Sequence, residues 1–205
     1  MNIVKQSVEL LASTPNPEQL IERCGRVAYK SEDKISTGTA TAFIRKIIEL
    51  GHESVLEHAS ATLLVVCDRG ISHEIVRHRI GSYTQESTRF CNYSRSRFGK
   101  EITVVEPPGL PSDLRNHWHN SCVNAEIAYH ALVEHGVGPQ IARSVLPTCL
   151  KTEIAITYNF REWRHFLRLR LAPAAHPQMQ SIAKVIHSIL IALAPACFDV
   201  IEVKT

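Results

Sequence analysis

Apolar and polar positions along the chain alternate with two different periods. Ile3, Val4, Val8, Leu10 and Leu11 crowd residues 2–12, which predicts an N-terminal strand, and Thr14-Pro15-Asn16-Pro17 breaks it. Leu20, Ile21, Cys24 and Val27 recur near helical spacing over 18–28, as do Phe43, Ile44, Ile47 and Ile48 over 39–50. Gly51 is placed to end the second of these helices, and the polar stretch 31–38 between them reads as a loop. β-Branched and aliphatic residues over 61–67 predict a buried strand. Asp68-Arg69-Gly70 then turns the chain into a short helix over 72–79. A further strand is predicted over 102–105. Leu114, Trp118, Cys122, Ala125, Tyr129 and Leu132, three and four apart, mark a long amphipathic helix over 112–135. Residues 140–145 continue helical until Pro147, and 150–158 read as a strand. Asn159-x-x-Glu162 has the form of a capping box. The helix it opens carries Phe160, Trp163, Phe166 and Leu167 on one side, with Arg161, Arg164 and Arg168 mostly on the other. The last helix, over 177–194, presents Ile182, Val185, Ile186, Ile189, Leu190 and Leu193 as its core face. No repeat, low-complexity tract or linker divides the chain. The pattern predicts one α+β domain over residues 1–205.

Composition narrows the function classes. Hydrophobic residues make up 44% of the chain and charged residues 21%, ordinary values for a globular protein with a substantial core. The net charge of +3, from 23 basic and 20 acidic residues, suits small anionic ligands better than a polynucleotide. No Cys-x-x-Cys links the six widely spaced cysteines, so they read as reduced thiols of a cytoplasmic protein. No secretory segment opens the chain, and no apolar run is long enough for a membrane span. Eleven histidines raise the question of a metal. His73 and His78 stand five apart, roughly 140° around a helix, which does not suit shared zinc ligation. His52 and His58 are spaced no better, so no metal site is expected.

The densest chemistry lies in Arg77-His78-Arg79-Ile80-Gly81-Ser82-Tyr83-Thr84-Gln85-Glu86-Ser87-Thr88-Arg89. Four basic residues accompany a single carboxylate, Glu86, and several hydroxyls, a set that suits a multiply charged anion. The stretch closely resembles the signature of the flavin-dependent thymidylate synthases (ThyX): Arg-His-Arg, seven residues, then Ser, here Ser87. Three further stretches extend the resemblance over nearly the whole chain. They are Gly51-His52-Glu53-Ser54-Val55-Leu56-Glu57-His58, Ala142-Arg143-Ser144-Val145-Leu146-Pro147, and Asn159-Phe160-Arg161 leading to Leu169-Arg170. Taken alone, these would be a solvated connection, a surface arginine and a basic helix face.

The resemblance implies the ThyX fold: a twisted, largely antiparallel sheet flanked by helices, assembled as a homotetramer with sites shared between subunits. It implies reductive methylation of dUMP to dTMP, with methylenetetrahydrofolate as carbon donor and FAD, reduced by NADPH, as hydride carrier. Carried over position by position, His52 lies near the flavin ring. Ser54, Glu57, Asn159, Arg161 and His165 contact the flavin, and Arg77, His78 and Arg79 hold the cofactor. Glu74, Arg77, Glu86, Ser87, Arg89, Arg143 and Arg170 meet the nucleotide. Ser87, Arg170 and His52 are the candidate catalytic positions. No positioned base for Ser87 is evident in the sequence, so its expected role is binding and orientation. Glu74 stands where members often carry glutamine, Ala28 where some carry serine, and His176 takes the place of the histidine that follows the last arginine.

A rival of another class is a nucleic-acid-binding module, in which Arg77, Arg79, Arg89, Arg95 and Arg97 alternate with Tyr83, Phe90, Tyr93 and Phe98. The near-neutral charge balance speaks against it. A related flavoenzyme acting on another pyrimidine nucleotide is the second alternative.

Overall fold

The computed structural model describes residues 1–203. Its elements run β1 (Asn2–Val4), β2 (Ser7–Ser13), α1 (Pro17–Val27), α2 (Thr39–Glu49), β3 (Ser60–Asp68), α3 (Arg69–Ile75), β4 (Ser82–Gln85), β5 (Thr103–Val105), α4 (Arg115–Glu134), α5 (Pro139–Ala142), β6 (Lys151–Asn159), α6 (Phe160–Arg170), α7 (Pro177–Leu193) and α8 (Pro195–Phe198). A 3₁₀ segment, Glu53–His58, precedes β3. This is an α+β chain.

Burial alternates residue by residue along β3 and β6, as expected of strands with one face turned to a core. They are neighbours in a four-stranded sheet of order β2-β3-β6-β4. Thr62 and Thr157 share a hydroxyl hydrogen bond at 2.9 Å, and the Phe160 amide donates to the Ala59 carbonyl at 2.8 Å. Positions thus rise on β3 as they fall on β6, an antiparallel register. The end of β2 meets the start of β3 in the same sense: the Thr14 amide donates to the Ser60 carbonyl at 3.0 Å. A separate pair is parallel, β1 with β5, in the register Asn2↔Thr103, Ile3↔Val104 and Val4↔Val105.

The predicted single strand over 2–12 is therefore two strands in two different sheets. Its apolar residues come in adjacent pairs rather than in alternation, and Leu10 and Leu11 are both exposed.

The chain forms two compact units. The first comprises Met1–Ser7, Val65–Arg77 and Thr84–Ile154. Its core gathers Tyr93, Ile102, Val104, Cys122, Tyr129, Ala142 and Leu150. The terminal ammonium of Met1 is tied to Glu101 at 3.0 Å and Glu126 at 3.1 Å. α4 begins later than its pattern suggested and fully buries only Cys122 and Tyr129; Leu114 lies outside the helix and exposed. Asp68 caps α3, its Oδ1 accepting from the Ile71 amide at 2.7 Å. The helix therefore starts and stops earlier than expected, and Arg77 lies in the turn beyond it.

The second unit comprises Val8–Leu64, His78–Tyr83 and Ala155–Thr205. α1 packs on α2, burying Ile21 and Ile44, and α6 lies against the 3₁₀ segment, burying Leu56. Tyr158, Trp163 and Phe166 form an aromatic wall, with centroids 4.4 Å apart for Tyr158–Trp163 and 5.7 Å for Trp163–Phe166. The Trp163 indole donates to the Ala61 carbonyl at 3.1 Å. A Cβ at Gly81 would collide with the Tyr158 ring, so the signature's turn needs glycine at that point. Arg164, expected on the solvent face of α6, is buried and donates to the Cys197 carbonyl. Val185, expected in the core of α7, is exposed.

Candidate functional site

In the second unit, Asn159 caps α6 through its Oδ1, which accepts from the Glu162 amide at 2.9 Å. Beyond that cap a groove of about 400 Å³ runs along the helix. Asn159, Arg161, Glu162, His165 and Arg168 line it from α6, Glu53 and Glu57 from the 3₁₀ segment, and Ile80 from the signature. Ion pairs cross it. Arg161 meets Glu57 at 2.6 Å and Arg168 meets Glu53. The Glu57 hydrogen bond raises the Arg161 pKa above its ordinary value, against a slight opposing effect of burial. Donors, acceptors and the largely exposed Ile80 side chain together fit a flat heteroaromatic ring with a polar edge, as a flavin ring is. His52 and Ser54, expected beside the flavin, are exposed on the same segment and are not part of the groove's lining.

His78, expected against the cofactor, is buried. Its Nε2 accepts from Arg170 Nε at 3.0 Å, and its Nδ1 lies 3.4 Å from Glu162 Oε1. Burial, then the Arg170 guanidinium and His165, lower its pKa from 6.5 to about 4, so the imidazole is neutral at pH 7. Burial also raises the Glu162 carboxyl, with Arg161 pulling the other way. Tyr83 donates to the His78 carbonyl and shares a 2.6 Å hydroxyl contact with Tyr158. Arg79 is exposed on the other side of His78.

In the first unit, Arg69, His73, Thr88, Gln140, Arg143 and Ser144 line a cleft of about 430 Å³, closed by Leu146, Pro147, Thr148 and Leu150. No carboxylate is part of that lining. Arg143 Nη1 donates to the buried Thr88 hydroxyl at 3.2 Å. Arg69 Nη1 donates to the Glu86 carbonyl at 3.3 Å. Ser87 accepts from the Arg89 amide at 3.3 Å on its hydroxyl and from the Cys91 amide at 2.8 Å on its carbonyl, which folds the loop after β4 into a tight turn. Arg89 is exposed over the Phe90 ring, and Arg77 is exposed as well. Glu74 is half-buried.

Glu86 is already engaged. Its Oε1 accepts from the Tyr93 hydroxyl at 2.9 Å and its Oε2 from Lys151 Nζ at 3.2 Å, beside a second small cleft. Burial alone would lower the Lys151 pKa; Glu153 and Glu86 outweigh it, and the ammonium titrates above its ordinary value.

The structure thus brings Glu57, Asn159, Arg161 and His165, all expected at the flavin, along one groove, and it joins His78 to Arg170, a pairing the sequence did not anticipate. The motif match missed Glu53, Glu162 and Arg168 in the groove and Arg69, His73 and Thr88 in the cleft. The signal for the groove was present: cations at 161, 164 and 168 on one helix call for partners, and the 52–58 stretch holds two carboxylates.

A family model described as "Thymidylate synthase complementing protein" matches residues 9–196. The flavin-dependent thymidylate synthase of Geobacter sulfurreducens is 37% identical over 199 residues, covering 93% of this chain and 84% of its own. That of Mycobacterium tuberculosis strain H37Rv is 35% identical over 206 residues, covering 91% and 80%. Among solved structures, the UMP/dUMP methylase PolB from Streptomyces cacaoi, bound with 5-Br dUMP, superposes with a TM-score of 0.79. The two are 25% identical, over 97% of this chain and 96% of that one. Motifs, fold and relatives agree, and the chain belongs to the flavin-dependent thymidylate synthase family.

Proposed function

We propose that this protein converts dUMP to dTMP by reductive methylation, with methylenetetrahydrofolate as carbon donor, FAD as the flavin and NADPH as reductant. The observation that carries this reading is the meeting of two motifs 92 residues apart: His78 of the signature and Arg170 at the end of α6, joined at 3.0 Å. Reduced flavin, when bound, supplies the hydride.

The chain's own residues bind and orient. Asn159, Arg161 and His165 face the groove assigned to the flavin ring, with Glu57 as acceptor and His52 and Ser54 on the adjoining segment. Arg77 and Arg79, both exposed, are assigned to the cofactor's diphosphate, which guanidinium forks match. Arg143, Arg89 and Arg170 are assigned to the nucleotide, with Ser87 as a hydroxyl donor and Glu74 as an acceptor. Among the described residues no histidine or carboxylate hydrogen-bonds to the Ser87 hydroxyl, which supports a binding role over a nucleophilic one. Orientation and electrostatics then account for most of the catalysis. A single working domain, a cytoplasmic homotetramer with shared sites and the absence of a resident metal belong to the same proposal. No helix among the described residues is long and apolar enough to cross a membrane.

A second reading has one observation in its favour: the structural neighbour is a UMP/dUMP methylase. Product analysis decides. The protein is incubated with FAD, NADPH, methylenetetrahydrofolate and either dUMP or UMP, and the nucleotides are separated and weighed by mass spectrometry. Formation of dTMP from dUMP with little turnover of UMP supports the first reading. Preferred methylation of UMP, or a hydroxymethylated product, overturns it.

A further inference from the structure

Two arginines line the cleft of the first unit, and only one of them lies in a stretch that matches the family. Arg143 belongs to Ala142-Arg143-Ser144-Val145-Leu146-Pro147; Arg69 lies outside every such stretch. Arg69 opens α3, directly after the Asp68 cap. Its amide donates to the Thr148 and Leu150 carbonyls at 3.1 and 3.0 Å, and both of those residues are cleft wall. The backbone therefore fixes Arg69 at the cleft without help from its side chain.

Among the described residues the Arg69 side chain makes one hydrogen bond, from Nη1 to the Glu86 carbonyl at 3.3 Å. Arg143 is held in the same manner, by one contact from Nη1 to the Thr88 hydroxyl at 3.2 Å. The two acceptors stand on either side of Ser87, so the loop after β4 anchors both guanidiniums. Both acceptors are neutral, and each engages one N–H of a fork that has several. The Glu86 carboxylate is engaged by Tyr93 at 2.9 Å and Lys151 at 3.2 Å, and among the described residues it forms no ion pair with either arginine. No carboxylate is part of the cleft's lining.

A guanidinium drawn into a half-buried site ordinarily meets an opposite charge, because desolvating it alone is unfavourable. Arg69 is half-buried in a cleft of about 430 Å³ that supplies none. A carbonyl and a hydroxyl restrain a guanidinium without cancelling its charge. The groove of the second unit does the reverse and closes Arg161 and Arg168 on glutamates.

We propose that Arg69 is an anion-binding residue of this cleft and holds a phosphate group together with Arg143, the Glu86 carbonyl and the Thr88 hydroxyl serving as their anchors. Phosphate suits two guanidiniums because it presents several oxygens to planar forks. His73 and Ser144, in the same lining, can donate to the oxygens that remain. That the phosphate is the nucleotide's rests on the function proposed above; that the two arginines share an anion rests on the cleft alone.

The test is calorimetry on flavin-loaded protein, in which the cofactor's own diphosphate site is filled. Three ligands are titrated: dUMP, deoxyuridine, which lacks the phosphate, and inorganic pyrophosphate, which needs no nucleotide site. Arg69→Gln is expected to weaken dUMP and pyrophosphate about tenfold to a hundredfold in Kd and to leave deoxyuridine within about twofold. Arg23→Gln removes the same charge from the exposed surface of α1 and should leave all three within about twofold. Unchanged dUMP binding in Arg69→Gln, an equal loss of deoxyuridine, or an equal loss in Arg23→Gln overturns the proposal. Should Arg69→Gln fail to fold, Arg69→Met, of similar length and without charge, takes its place. A wild-type protein that binds no dUMP sinks the nucleotide reading, and pyrophosphate then decides alone. Pyrophosphate binding that Arg69→Gln weakens about tenfold keeps the anion site. Binding that the variant leaves unchanged, or no binding in the wild type, overturns it.

Discussion

The cleft of the first unit and the groove of the second balance charge in opposite ways. The cleft carries Arg69, His73 and Arg143 with no carboxylate in its lining. The groove carries Glu53, Glu57 and Glu162 against Arg161 and Arg168, and its ion pairs are closed within the chain. A concave site with unbalanced cations is prepared for an anion, because the ligand brings the missing charge. A groove whose cations are already paired within the chain suits a largely uncharged ring that exchanges hydrogen bonds. The assignment of nucleotide phosphate to the first and flavin ring to the second follows that difference. The two also rest on different frameworks: the groove on the aromatic wall of Tyr158, Trp163 and Phe166, the cleft partly on the connection from α5 to β6.

The largest expected effect breaks the wall. Trp163 is fully buried, and Trp163→Ala should cost about 3–5 kcal/mol by urea unfolding, with loss of bound flavin. A cost below about 1 kcal/mol would mean that the groove does not depend on the wall. Arg143→Ala should weaken dUMP binding by about 1.5–3 kcal/mol, on the order of ten- to a hundredfold in Kd by calorimetry, and leave the flavin spectrum unchanged. Equal losses of both ligands would erase the distinction between the two regions.

The third prediction concerns pH. His78 titrates at about 4 in the fold and at 6.5 when unperturbed, so between those values the unfolded chain takes up a proton that the folded one refuses. Its contribution to stability is full above pH 6.5 and is lost as the pH falls from there toward 4. The melting temperature should drop across that window, and His78→Gln should flatten the slope. The smallest effect is at the rim: Glu57→Gln removes the partner of the half-exposed Arg161 and should change stability by about 0–1 kcal/mol, less at high salt. A larger loss would show that this ion pair braces the groove.

Much of this was legible in the sequence where the information is local. β3 and β6 announce themselves by composition, and the α6 cap by Asn159 and Glu162, because period and capping act within a few residues. The split of the N-terminal strand was not legible. Its second half pairs with β3 and its first with β5, choices made by partners far outside any local window. Arg164 read as a solvent-facing cation because the carbonyl that receives it belongs to Cys197, 33 residues on. Glu162 read as half of a capping box, yet its carboxylate is buried 3.4 Å from His78 Nδ1. Glu86 read as an open acceptor until Tyr93 and Lys151 were placed on its two oxygens. In the motifs, the residue types named the chemistry, and only the fold showed which groups were already satisfied.

Whether the protein is a working flavoenzyme is read from a visible absorption spectrum of the purified protein incubated with FAD, taken before and after NADPH and then with dUMP. A bound-flavin spectrum that bleaches with NADPH and, in the oxidised protein, shifts when dUMP is added is expected. A protein that stays colourless with FAD, or whose flavin ignores both NADPH and dUMP, would contradict the flavoenzyme reading.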